Sequence, residues 1–272
     1  LMANGTLTIS GGGKVSDVDG VGGADSPSRS TTTTVTGAGS TWTNTGTLRL
    51  GGYGGTDTLT IADSGSVKVT GQATIYPRAR MNIGSGAGAG TLQAGSLVND
   101  GSLQLNHTGA ATISTPLSGT GLVLKNGVGS STITSAAGYT GAFWVNTGTL
   151  VLQNTLGAAA FFTGDTLRFD AATVNLGNSS IRANGTVEYK NTTTVNGGFL
   201  RGSGTHTLLA GGTYTFNGVT TFNDTNIVQN GTASFNNFTT GGTLTNDANA
   251  PLNFAGVTNT SSGTIIVNGS LI

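Results

Sequence analysis

The sequence predicts an all-β protein, a right-handed parallel β-helix of roughly 12–14 coils, and three observations carry that prediction. Gly, Thr, Asn and Ser make up just over half of the 272 residues, and Glu occurs once, at Glu188. These residues favour strands, turns and caps over helix interiors, so a helical protein is excluded. A short phrase, Gly then Thr or Ser then alternating apolar and polar residues, recurs eight times. Finally, side chains of matched chemistry return at a constant step of 19 residues near the C-terminal end.

The recurring phrase runs along the whole chain. It reads Asn4-Gly-Thr-Leu-Thr-Ile9, Thr45-Gly-Thr-Leu-Arg-Leu50, Ser64-Gly-Ser-Val-Lys-Val69 and Asp100-Gly-Ser-Leu-Gln-Leu105. It returns as Thr147-Gly-Thr-Leu-Val-Leu152, Asn184-Gly-Thr-Val-Glu-Tyr189, Asn230-Gly-Thr-Ala-Ser-Phe235 and Ser262-Gly-Thr-Ile-Ile-Val267. Each copy predicts a turn followed by a short strand with one face inward. The 19-residue step links Phe216, Phe235 and Phe254, then Val219, Phe238 and Val257, then Thr220, Thr239 and Thr258. Sandwiches and barrels share the alternation but give no reason for that step. Stacked coils do, because residues one coil apart lie about 4.8 Å from each other. Apolar residues then form inward stacks, while Thr and Asn form ladders on the outside. One elongated domain over 1–272 is expected, about 60 Å long, with one style of Gly-Thr repeat over 1–160 and Phe-rich coils over 161–272. The stretches Gly84 to Gly90 and Gly20 to Thr34 are expected loops.

The phrases resemble a known family. Thr36-Gly-Ala-Gly-Ser-Thr-Trp-Thr-Asn-Thr-Gly-Thr-Leu-Arg-Leu50, with Gly55-Thr-Asp-Thr-Leu-Thr-Ile61 and Gly65-Ser-Val67, resembles repeats in passenger domains of bacterial type V autotransporters. Leu117-Ser-Gly-Thr-Gly-Leu-Val-Leu-Lys-Asn-Gly127, then Ala137-Gly-Tyr-Thr-Gly141 and Val145-Asn-Thr-Gly-Thr-Leu150, is similar to the autotransporter-associated β-strand repeat. The resemblance covers residues 4 to 152. It implies a β-helical passenger carried to the bacterial cell surface by a C-terminal translocator barrel of the outer membrane. The strands of such a barrel are not found in this chain, so the resemblance implies a passenger or part of one.

Composition bounds the partners. There are 11 basic and 11 acidic residues and no Cys. Without a Lys/Arg cluster there is no counterion-releasing surface for nucleic acid. No apolar run is long enough for a transmembrane helix, and disulfides and thiol chemistry are ruled out.

Candidate chemistry is sparse. Ala62-Asp63-Ser64-Gly65-Ser66 is similar to the nucleophile segment of chymotrypsin-like autotransporter proteases. However, both histidines, His107 and His206, follow it, whereas that order needs the base first. Carbohydrate-active β-helices need clustered carboxylates, and only Asp165, Arg168 and Asp170 gather, which reads as a solvated ion pair. Asp17 and Asp19, with Asp25 nearby, offer oxygen ligands for calcium at a spacing that matches neither an EF-hand nor the glycine-aspartate nonapeptide. The lone histidines do not make a zinc site. Gly84 to Gly90 lacks the spacing of a phosphate-binding loop, and the Asn-x-Ser/Thr triplets follow from composition. Tyr76, Arg78 and Arg80 form a small basic and aromatic patch suited to a glycan or protein partner. Thr31 to Thr34 and Thr213-Tyr-Thr215 hint at an ice-binding array, yet the second is followed at +19 by Thr232-Ala-Ser234.

The sequence therefore predicts a non-enzymatic surface adhesin stalk with no cofactor or metal. Contacts would run through an extended polar face, by self-association or with a host glycan or protein. A structural spacer carrying another domain, or a carbohydrate-active β-helix, are the other readings.

Overall fold

The computed structural model describes residues 5–22, 30–52, 55–269 and 271. Among them are 32 strands and no helix. The chain divides into two compact units, Leu1–Ala142 and Phe143–Ile272. Each is a parallel β-solenoid.

In the first unit one face is built from Thr6–Ile9, Thr32–Thr36, Thr58–Ala62, Arg80–Ile83, Ser102–Leu105 and Leu122–Lys125, stacked in parallel register. Period-two alternation decides what each strand buries. Val35, Ile61, Ile83 and Leu105 form one inward column, and Leu59, Met81, Leu103 and Val123 a second, with all eight side chains buried. Each such burial is worth about 1.5–3 kcal/mol. The longer strands Ser66–Ile75 and Thr91–Asn99 bend round a corner and serve two faces, with a bulge between Ala94 and Ser96. Tyr139, from the tyrosine-threonine-glycine phrase, is fully buried and its hydroxyl donates to the Gly121 carbonyl at 2.6 Å. Residues 20–22 and 32–34 of the expected loop are strand, and its centre lies outside the described residues.

The second unit stacks Leu150, Leu167, Val187, His206, Ile227, Leu244 and Ile265 in one column. Beside it runs a chain of aromatic rings. Phe143 stacks on Phe161 at 5.4 Å, Phe161 meets Phe169 edge-on, and Phe169 stacks on Tyr189 at 5.6 Å. Tyr189 then meets Phe216, which stacks on Phe235 at 5.1 Å. The 19-residue step is the strand register itself: Phe216 pairs with Phe235, Phe235 with Phe254, and Thr220 with Thr239. Val219 and Phe238 are buried, whereas Phe254 and Val257 are half-buried on the last column positions.

Along the face described first, the first unit completes five turns. The matching column of the second completes six. That is somewhat fewer than the 12–14 coils expected. The early coils are longer, as the steps from Thr6 to Thr32 and from Thr32 to Thr58 show.

The glycine of the recurring phrase has a steric cause. A Cβ at Gly65 would lie 2.4 Å from the Val35 carbonyl oxygen, and one at Gly185 would lie 2.3 Å from that of Asp165. The obstacle is the backbone of the coil below, which cannot move aside without opening the ladder. Gly185→Ala is expected to destabilise by about 1–3 kcal/mol. Gly109→Ala, where a Cβ meets nothing within 4 Å, should be close to neutral. Urea midpoints of the two variants measure the difference, and equal midpoints would refute the steric account.

Candidate functional site

Outward positions of the second unit form polar columns. Thr192, Thr213 and Thr232 stack in register, as do Thr173, Thr194, Thr215 and Ser234. Next to them runs an asparagine ladder. The Nδ2 of Asn196 donates to Oδ1 of Asn175 at 2.9 Å, Asn217 to Asn196 at 2.8 Å, and Asn236 to Asn217 at 2.8 Å. Each interior amide spends one N–H and one oxygen lone pair on the ladder and keeps one of each. Thr213-Tyr-Thr215 therefore does repeat, below it as Thr192-Thr-Thr194. A fixed 19-residue search misses that copy because the step there is 21.

Charges follow the same stacking. Arg168 does not pair with Asp170 on its own strand. It is 2.6 Å from Glu188 on the next coil, and Asp170 is 3.5 Å from Lys190, each pair in direct register. Asp165 accepts from the Gly148 amide at 2.7 Å. In the first unit three aspartates clip a threonine one coil away, each taking both its N–H and its hydroxyl: Asp57 with Thr31, Asp19 with Thr47, and Asp100 with Thr120. The Thr47 donors hold the Asp19 carboxyl below the usual range. Asp17 accepts from the Trp42 indole at 3.2 Å, and Asp25 lies outside the described residues. Among the described residues no three His, Asp or Glu side chains come together.

Ser64 occupies the turn between Thr58–Ala62 and Ser66–Ile75, where Asp63 and Ser64 both adopt positive φ. The Asp63 carboxylate takes the Gly88 amide and the Thr36 hydroxyl. His107 is bound elsewhere: Nε2 lies 2.8 Å from Ser131 Oγ and Nδ1 lies 3.0 Å from the Gly109 carbonyl. Both side chains are fully buried, so no substrate carbonyl reaches that pair without opening a coil. His206 faces inward in the second unit against Tyr189 Oη at 3.0 Å. Burial pushes its pKa down to about 3.

Tyr76 to Ala79 form a turn closed by the Ala79 amide on the Tyr76 carbonyl. Pro77 sits at its second position and Arg78, at φ 74°, at its third, the dihedral pattern of a type II turn. Tyr76 is 37% exposed, and Arg80 points outward from the next strand. The turn thus brings the three sequence-picked residues to one corner.

A further outward column has no signal in the sequence, because its members are spaced 18 to 21 residues apart and mix two chemistries. Trp144 lies 5.7 Å from Phe162, Phe162 pairs in register with Arg182, and Arg182 with Arg201. Arg201 in turn lies over the rings of Phe199 and Phe222, at 4.9 and 4.4 Å.

The fold and these columns define a class, a parallel β-solenoid with ordered polar and aromatic columns on its outer surface. No protein-family model matches the chain, and neither a curated protein nor a solved structure is found to match it.

Proposed function

We propose that the chain is a stalk of a bacterial surface adhesin, of the autotransporter passenger type, that makes cell-to-cell or surface contacts through its extended polar columns. The observation that carries this reading is the set of three adjacent columns on one face, Thr192–Thr213–Thr232, Thr194–Thr215–Ser234 and Asn196–Asn217–Asn236. Each residue offers hydrogen-bonding capacity at a fixed spacing, and a second such face in register meets every position at once. A single bond contributes only about 0.5–1.5 kcal/mol, so strength comes from repetition. A net charge of zero leaves little long-range repulsion between copies. The resemblance over residues 4 to 152 supports presentation at the outer membrane by a translocator barrel.

Sedimentation velocity over a wide concentration range tests the reading. Reversible dimers are expected, and Thr194→Lys with Thr215→Lys should abolish them by placing like charges along the face. A strictly monomeric protein at every concentration, with no binding to immobilised glycans or cells, would overturn it in favour of a spacer.

A further inference from the structure

We propose that the outward column Trp144–Phe162–Arg182–Arg201–Phe222 of the second unit binds an acidic polysaccharide, one with carboxylates on its pyranose rings. Two arginines in direct register on adjacent parallel strands leave backbones about 4.8 Å apart and put like charges on neighbouring coils, which is unfavourable for folding. The same unit shows how charges are arranged when only the fold is served, because Arg168 faces Glu188 and Lys190 faces Asp170. Arg182 and Arg201 are in neither ion pair, and no acid occupies their column. Their unbalanced charge points outward to an anion.

The flanking groups shape that site for a sugar. Arg201 is held against Phe199 and Phe222, so its planar fork is set before a ligand arrives and its edge remains available to a carboxylate. At the other end Trp144 is 48% exposed and tilted 37° to Phe162. Those two rings border an open cleft of about 260 Å³ that Arg182 and Asn184 also line. Ring faces suit the C–H face of a pyranose, the arginine forks suit its carboxylate, and the Asn184 amide suits its hydroxyls. The column ends beyond Phe222, since the next coil places Gly241 there, its amide donating to the Thr221 carbonyl. Two arginines on a chain of zero net charge fall short of the phosphate neutralisation that a nucleic-acid strand requires. The site is separate from the polar columns, so it stands or falls without self-association.

Trp144 is a built-in reporter, because the other tryptophan, Trp42, is 3% exposed. Titration with an oligogalacturonate is expected to shield Trp144 fluorescence from acrylamide quenching. Arg182→Ala and Arg201→Ala should each weaken binding about tenfold while circular dichroism stays unchanged. A neutral oligoglucan should bind at least about tenfold more weakly, and Lys68→Ala, at an exposed cation of the first unit, should have no effect. The proposal is overturned if the uronate leaves Trp144 unshielded, if neutral and acidic sugars bind alike, or if the arginine variants bind normally. Tighter binding of oligothymidylate than of the uronate would overturn it in favour of a nucleic-acid ligand.

Discussion

Phe235→Ala is expected to be the most damaging single truncation in the second unit, lowering stability by about 3–5 kcal/mol. Phe235 is fully buried and touches rings on both sides of its coil: Phe216 at 5.1 Å, Phe238 at 4.7 Å and Phe254 at 5.9 Å. Its loss removes the transfer energy of a whole ring and leaves a cavity between coils. The cavity resists collapse, because the spacing of the strands above and below is fixed by their hydrogen bonds. The ring contacts add about 0.5–1.5 kcal/mol each beyond area. Phe254, at the equivalent register position, is half-buried, so Phe254→Ala should cost clearly less. Guanidinium unfolding of both variants gives the comparison. Equal losses would mean that the aromatic column does not act as a stack, whatever its geometry. A Leu at 235 should recover part of the loss, since volume counts for more than ring chemistry in such a site.

What the sequence discloses follows from how the stacking works. Period-two alternation and the 19-residue step reveal the solenoid because inward positions take mostly apolar side chains, coil after coil. Phe216, Phe235 and Phe254 obey that step because three successive coils there keep one length. Earlier coils vary, as the registers from Thr6 to Thr32 and from Arg80 to Ser102 show, and a drifting step hides columns from any fixed period. Thus the Asn175–Asn196–Asn217–Asn236 ladder and the Trp144–Phe222 column are invisible until registers are known. The same holds for Arg168. Its nearest carboxylate in sequence is on its own strand, yet its partner is Glu188, 20 residues away and directly above. The three aspartate clips are hidden likewise, since acid and threonine are 20 to 28 residues apart.

Stability should fall steadily as pH drops from about 6.5 toward 3, and His206 is the cause. Val187 below it and Ile227 above it are aliphatic, so the imidazole stands in an apolar column. Its Nδ1 lies 3.0 Å from the Tyr189 hydroxyl, and its Nε2 is buried without a partner. Burial therefore disfavours the imidazolium and lowers the pKa to about 3 from 6.5. Below pH 6.5 the unfolded chain takes up a proton that the folded chain refuses. The unfolded state then binds more protons, and stability declines by roughly 1.4 kcal/mol per pH unit until the folded histidine titrates too. His107, also shifted downward by burial, adds a slope of the same sign. Asp19 acts at lower pH, because it begins from 3.8 and is shifted down, so its contribution does not mask that of the histidines between pH 6 and 4. At the alkaline end Tyr214, pushed up to about 12, and the more strongly raised Tyr189 and Tyr139 reverse the sign. Each keeps its proton in the fold after the unfolded chain has lost it near pH 10, so stability falls again above that point. Replacing His206 by Ile together with Tyr189 by Phe continues the aliphatic column and removes the hydroxyl that would otherwise be stranded. Urea midpoints of this double variant should be flatter between pH 6 and 4 than those of the parent, with His107 supplying the remaining slope. An unchanged slope would show that His206 titrates normally, and with it that the interior of this coil is open to water.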